Sequence, residues 1–229
     1  MSNFEGTNPE RSGMVSRVNL RKAVGFSLPE LLAVLAILAI ILTVSIPYLL
    51  SYRKLYRSDD QALKLMDMMQ EASQYALTRR RTFRFEIDLT DNEAKIIDEA
   101  GTNPDFVIKS VPLDKVADVR VDIIPSGVTR PNPPNYNNAV FAADTLGHMD
   151  GSTSVTNHSV WAMRFQRDGS AVNAAGLPVS ATLFIWPPAS AGSSTPRNTR
   201  EIRAITVFAP SSAVRFWKYN GSTFTASVN

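Results

Sequence analysis

The chain has 229 residues, 44% of them hydrophobic and 20% charged, a balance that admits one large globular domain or two small ones. It has no cysteine, which excludes a disulfide framework, a thiolate zinc site and a cysteine nucleophile. Of the formal charge of +3, residues 1–25 supply +2 (Arg11, Arg17, Arg21 and Lys22 against Glu5 and Glu10), so only +1 remains for 26–229 and overall charge does not argue for a nucleic-acid surface.

From Leu31 to Tyr52 no residue is charged. At ~1.5 Å per residue, ~22 helical residues reach ~33 Å, enough for a ~30 Å hydrocarbon core, so the run predicts a membrane-spanning helix. A cleaved secretory signal fits less well, because its apolar core runs roughly 7 to 15 residues before a small-x-small site. Thr43-Val44-Ser45-Ile46-Pro47 matches such a site poorly. Basic residues do not orient the helix: the leader's Arg11, Arg17, Arg21 and Lys22 are balanced by Arg53, Lys54, Arg57 and Lys64 beyond it.

Ser27-Leu28-Pro29-Glu30 has the form of a capping box, with Ser27 as N-cap, Glu30 reaching back, and Phe26 and Leu31 placed for a hydrophobic staple. An ionised carboxylate at mid-membrane costs roughly +2.5 to +3.5 kcal/mol, with less at the edge, whereas a cap contributes about 1 kcal/mol. Glu30 therefore calls for a cationic partner, and the apolar run holds no lysine or arginine. Cleavage after Gly25 would create one, the new amino group of Phe26. Ala33, Ala36 and Ala39 recur every three residues, a spacing that allows close approach of helices and is also common in any membrane helix. Pro47 removes its hydrogen bond to the Thr43 carbonyl and predicts either a kink or a helix boundary.

Arg21-Lys22, then Gly25-Phe26-Ser27-Leu28-Pro29-Glu30, then the apolar helix resembles the prepilin signal of type IV pilins and type II secretion pseudopilins. The resemblance implies that a prepilin peptidase cuts between Gly25 and Phe26 and N-methylates Phe26. Glu30 would then pair with the Phe26 amine of a neighbouring subunit during assembly, and Pro47 would mark a kink. It further implies a single-pass protein of the bacterial inner membrane with its C-terminal domain in the periplasm. The partners implied are membrane lipid before assembly, other pilins or pseudopilins in a filament, and an inner-membrane assembly platform.

Residues 53–81 contain no glycine or proline and place Tyr52, Leu55, Tyr56, Leu63, Met66, Met69, Ala76 and Leu77 at spacings of three and four, which predicts an amphipathic helix. Met66, Met68 and Met69 read as core at that spacing. Arg79-Arg80-Arg81 closes the helix, where cations suit the dipole. From Thr82 the period becomes two. Phe83, Phe85 and Ile87 alternate with Arg84, Glu86 and Asp88, and Thr90-Asp91-Asn92 turns into Ala94–Ile97 as a hairpin. Val119, Val121 and Ile123 predict another strand. Residues 131–138 open a Pro/Asn-rich loop, about 125–158 in all, that reads as a partner-contact element or a partly disordered segment. Trp161–Gln166, the Asp168-Gly169 turn and Ser170–Asn173 form a hairpin, Ala181–Trp186 is a strand, 187–199 a surface loop, and Glu201–Phe208 with Val214–Tyr219 a last hairpin before the Asn220-Gly221 turn.

The expected fold class is α+β: a long N-terminal helix, membrane-spanning in its first half and amphipathic in its second, packed on an antiparallel β-sheet domain. The expected divisions are a leader at 1–25, a transmembrane or filament-core helix at 26–52, an amphipathic helix at 53–81 and a periplasmic β domain at 82–229. The closing Arg-x-Ile-x-x-x-Thr-Val stretch, Arg200 to Phe208, resembles the GspH/FimT family of minor pseudopilins, although Ala209–Arg215 lacks the glycine usual in that last turn.

No Gly-x-Ser-x-Gly elbow, phosphate-cradling loop or His-Glu-x-x-His helix occurs, and no enzyme or cofactor is expected. Asp144, His148, Asp150 and His158 share a loop at spacings that match no metal-ligand motif, so no metal is expected. Asp59-Asp60 reads as a solvated face. Two functions follow: a minor pseudopilin, structural in a type II secretion pseudopilus, or a minor type IV pilin that binds DNA in pilus assembly or uptake. The tail disfavours nucleic acid, since after Arg215 only Lys218 is basic. An enzyme on a helical anchor is a third reading, and it predicts no cut after Gly25.

Overall fold

The computed structural model describes residues 27–99, 105–138, 142–143 and 147–226. Gly25 and Phe26, the expected processing site, lie outside them. The chain divides into two compact units, Met1–Tyr48 and Leu49–Asn229. The helix α1 runs from Leu28 to Arg79 and continues through Pro47.

In the first unit α1 opens on Ser27, whose carbonyl accepts from the Leu31 amide at 3.1 Å. Apolar side chains then point outward all round the helix, Leu31, Leu35 and Ile40 among them. Thr43 Oγ1 donates back to the Ala39 carbonyl at 2.7 Å.

The expected fold class is corrected in two respects. First, among the described residues no helix is long and apolar enough to cross a membrane. Lack of charge is not the same as apolarity. Thr43, Ser45, Pro47, Tyr48, Ser51 and Tyr52 interrupt the last part of the uncharged run and leave residues 31–42 as its unbroken apolar stretch. At ~1.5 Å per residue that stretch reaches only ~18 Å of a ~30 Å hydrocarbon core. The expected single-pass placement in an inner membrane, and with it the periplasmic placement of the C-terminal domain, loses its basis.

Second, the second unit is not one antiparallel sheet but two sheets that include parallel pairs. The strands are β1 (Phe83–Asp88), β2 (Glu93–Asp98), β3 (Phe106–Pro112), β4 (Asn137–Asn138), β5 (Ala142–Ala143), β6 (His148–Asp150), β7 (Thr153–Val155), β8 (Ser159–Phe165), β9 (Ala171–Val172), β10 (Ala181–Ile185), β11 (Arg203–Phe208), β12 (Ala213–Tyr219) and β13 (Phe224–Ala226). The first sheet has the order β5-β8-β1-β2-β3-β6-β7, with β9 beside β8; the second is β13-β12-β11-β10-β4. β3 with β6 and β10 with β4 are parallel. The segment 125–158, expected as a loop, supplies β4 to β7, each too short to show a period of two. Val119–Ile123 forms no strand, because Arg120 makes only an isolated bridge to Trp186.

One core joins these layers. Ala62, Leu65, Met69, Ala72 and Ala76 of α1 meet Phe83, Phe85, Ile87, Trp161 and Phe165 of the first sheet, and Leu183, Ile185, Ile205 and Val207 of the second. Alanines on the helix let its backbone come close to the strands. The buried stripe differs in phase from the expected one, since Tyr56, Leu63 and Leu77 are exposed. A second cluster on the other face of the second sheet gathers Trp186, Phe184, Ile202, Trp217 and Tyr219. The Asp168-Gly169 turn joins β8 to β9, with Gly169 at φ 83°, a left-handed value that glycine adopts without strain.

The arginine run that closes α1 splays. Arg79 lies over the Tyr75 ring, 4.6 Å from its centroid, and Arg81 pairs with Asp98 at 3.1 Å.

Candidate functional site

Two regions carry charge where burial or exposed apolar surface makes it costly. The first is the start of α1. Glu30 Oε2 accepts from the Ser27 amide and from Ser27 Oγ, both at 3.4 Å, so the carboxylate covers the first turn of the helix. Orphan amides and the positive end of the helix dipole both favour an acid there. Large apolar side chains around and beyond it are exposed: Leu28, Leu31, Leu32, Val34, Leu35, Ile37, Leu38, Ile40, Ile41, Leu42 and Ile46.

The second region is a buried ionic layer on the first sheet. Alternation along β1 sends Phe83, Phe85 and Ile87 into the core and Arg84, Glu86 and Asp88 to the opposite face. That face is not solvated: all six β1 residues are buried. Its cover comes from distant segments. Arg84 Nε lies 3.0 Å from Glu86 Oε2, its Nη1 reaches Glu99 at 2.8 Å and Asp105 at 3.3 Å, and its Nη2 donates to the Gly147 carbonyl at 3.1 Å. Arg164 grips Glu99 at 2.7 Å.

Further along β1, Asp88 Oδ1 accepts from the Thr90 and Asp91 amides at 2.9 and 3.0 Å, closing the β1–β2 turn. Its Oδ2 meets His158 Nδ1 at 2.7 Å and Lys95 Nζ at 3.2 Å. Lys95, on β2, also reaches Asp91 at 3.1 Å and His148 Nε2 at 3.4 Å. The other ring nitrogen, His148 Nδ1, faces Glu86 Oε1 at 3.5 Å.

These contacts set the protonation states. Burial pushes the Asp88 carboxyl up, but His158, the Asp91 amide and Lys95 outweigh it and hold it below the usual range. Burial likewise pulls Lys95 down, but hydrogen bonds to Asp91 and Asp88 raise it above its ordinary value, so it is an ammonium. His148 is lowered, first by burial and then by the charges of Lys95 and Arg84, so its ring is neutral near pH 7. With an ammonium against Nε2, that nitrogen accepts and the proton sits on Nδ1, directed at Glu86. Lys95, His148 and Glu86 thus lie side by side, with Lys95 Nζ 3.4 Å from Nε2 and Glu86 Oε1 3.5 Å from Nδ1.

The carboxylates and histidines fall into two groups with ligand atoms within 4.8 Å of one another: Glu86, Asp88 and His148, and Asp88, Asp91 and His158. The donor set does not suit a metal ion. Lys95 Nζ already bridges Asp88 and Asp91, so an ammonium stands where a metal cation would have to sit. Of the four residues expected to share a loop, His148 and His158 join this layer, while Asp144 lies outside the described residues.

A third pairing also departs from expectation. Asp59, read as solvated, holds Arg203 of β11 at 2.5 and 2.8 Å through two parallel hydrogen bonds. Burial pushes its carboxyl up, yet the Arg203 hydrogen bonds and charge, with help from Lys218, keep it below the usual range. The partners are 144 positions apart, a separation at which no local pattern signals a pair.

No family model matches the chain, and neither a curated protein nor a solved structure does. The functional reading therefore rests on the residues themselves.

Proposed function

We propose that the chain is a structural subunit of a pilin-like filament, a minor pseudopilin of the type II secretion kind, and that residues 28–46 of α1 are its assembly surface. The observation that carries this is the apolar surface of that helix. Leu31, Leu35 and Ile40 are 54%, 53% and 67% exposed, and at ~100° per residue they and their neighbours cover the whole circumference.

A helix apolar on every side is a buried helix. An unbroken apolar stretch of roughly 10 to 14 residues fits burial within protein better than a membrane crossing. Cover on all sides requires several neighbours at once, and a bundle of copies of the same helix supplies them. Glu30 supports the same reading. Its carboxylate stands at the head of that surface and is balanced on packing only by a cation on a neighbour, which the Phe26 amine would provide after cleavage at Gly25.

Because the chain has no cysteine, a single introduced one reports self-contact cleanly. Ala36→Cys, oxidised in cells that express the assembly machinery, is expected to give disulfide-linked dimers, whereas a cysteine at the exposed Asp60 gives none. Dimers at neither position, with filaments present, would contradict the proposed packing.

A further inference from the structure

The buried layer holds a titratable ring, His148, and it sits under an element with few other attachments among the described residues. Among those residues the hairpin β6–β7 pairs with the rest of its sheet only through Phe106 and Met149. It is otherwise tied by the Met149 amide to the Asp105 carbonyl at 2.6 Å and by Arg84 Nη2 to the Gly147 carbonyl. Its outer residues are exposed from Asp150 to Ser154. The inward anchor is His148, only 3% exposed.

We propose that His148 is an acid-sensitive latch: a second proton on its ring releases the β6–β7 hairpin, residues 147–155, from the face of β1 and β2, while both sheets stay folded. The inference does not depend on the filament reading.

The groups facing the ring decide the sign. From β1 come Arg84, Glu86 and Asp88, from β2 Lys95, and from β6 itself Asp150, while Asp105 meets Arg84 rather than the ring. His158 faces Asp88 and Asp91 rather than the ring. In the closed form Nε2 accepts from the Lys95 ammonium. Protonation turns that acceptor into a donor and sets two cations against each other at 3.4 Å, with Arg84 close by. Glu86 and Asp88 attract the new charge, but Arg84 and Lys95 already occupy them, so burial and cationic repulsion prevail and the ring is held below its ordinary value. Burial raises the carboxyl of Asp105, the partner of Arg84 whose own carbonyl carries the hairpin's backbone tie.

The open hairpin gives His148 a water-exposed ring that protonates near pH ~6.5, whereas the closed ring resists protonation to lower pH. Closure is therefore fully favoured above ~6.5 and is lost as pH falls through the window beneath it, at up to about tenfold in the opening equilibrium per pH unit.

Hydrogen exchange of the full chain between pH 7.5 and 5, corrected for the intrinsic exchange rate, tests this. Protection of 147–155 is expected to fall with about that slope, while β1 and β2 keep theirs. His148→Gln places a carbonyl toward Lys95 and an N–H toward Glu86 and cannot charge, so it is expected to flatten the response, and His158→Phe is expected to retain it. The chain has only two histidines, so ring NMR signals of the unaltered protein supply a second readout: the His148 titration is expected to coincide with hairpin opening. A pH-independent hairpin, a His148 ring that titrates without opening, or a response abolished by His158→Phe and kept by His148→Gln would overturn the proposal.

Discussion

Arg84→Met is expected to lower the unfolding free energy by about 3–5 kcal/mol, the range for removing one member of a buried ion pair. The side chain and its partner Glu86 are both fully buried, so the deletion strands a carboxylate with no route to water. Glu99 keeps Arg164, and the Asp105 side chain is partly open to water, so the penalty centres on Glu86. Removing Glu86 as well, as Arg84→Met with Glu86→Leu, is expected to recover a large part of the loss, because no unpaired buried carboxylate is left behind. Urea denaturation of the two single variants and the double variant gives the coupling directly. Strictly additive losses would show that Arg84 and Glu86 do not act as a pair.

Leu35→Lys is expected to abolish assembly and leave the folded β unit intact. Burying a leucine contributes about 1.5–3 kcal/mol, and a lysine in its place adds the cost of a buried, unpaired charge. A loss of about 4 kcal/mol or more per subunit contact weakens association roughly a thousandfold, beyond what a growing filament tolerates. In the isolated chain the same side chain is exposed, so the unfolding midpoint should move by no more than the equivalent of about 0.5 kcal/mol. Filament recovery scored beside thermal unfolding separates the two effects. A filament of normal yield from Leu35→Lys would remove α1 from the assembly surface.

Local chemistry was the legible part of this sequence. Ser27 and Glu30 lie within one turn, and the structure places the Glu30 carboxylate on the Ser27 amide. Phe83, Phe85 and Ile87 announce a strand by alternation, and Asp168-Gly169 announces its turn by the one residue type that accepts a φ of 83° without strain. What could not be read was set by distance or brevity. The charges on β1 look like a solvated edge until Gly147 and His148, more than 60 positions away, cover them. Asp59 looks like surface until Arg203 arrives on β11. β4 and β5, at two residues each, are shorter than one alternation of their own period. The membrane expectation failed for a different reason: uncharged residues were counted as apolar, although Thr43, Ser45, Tyr48, Ser51 and Tyr52 carry hydroxyls.

The exposed apolar helix and Glu30 make one demand together, a positive charge at the N-terminal edge of α1 supplied by a neighbour. Intact-mass analysis of the protein purified from filaments or cells of its host tests it most directly. The expected product begins at Phe26 and bears one additional methyl group on that residue. A chain that still begins at Met1 would contradict the processing, the pairing of Glu30 and the assembly that depends on both.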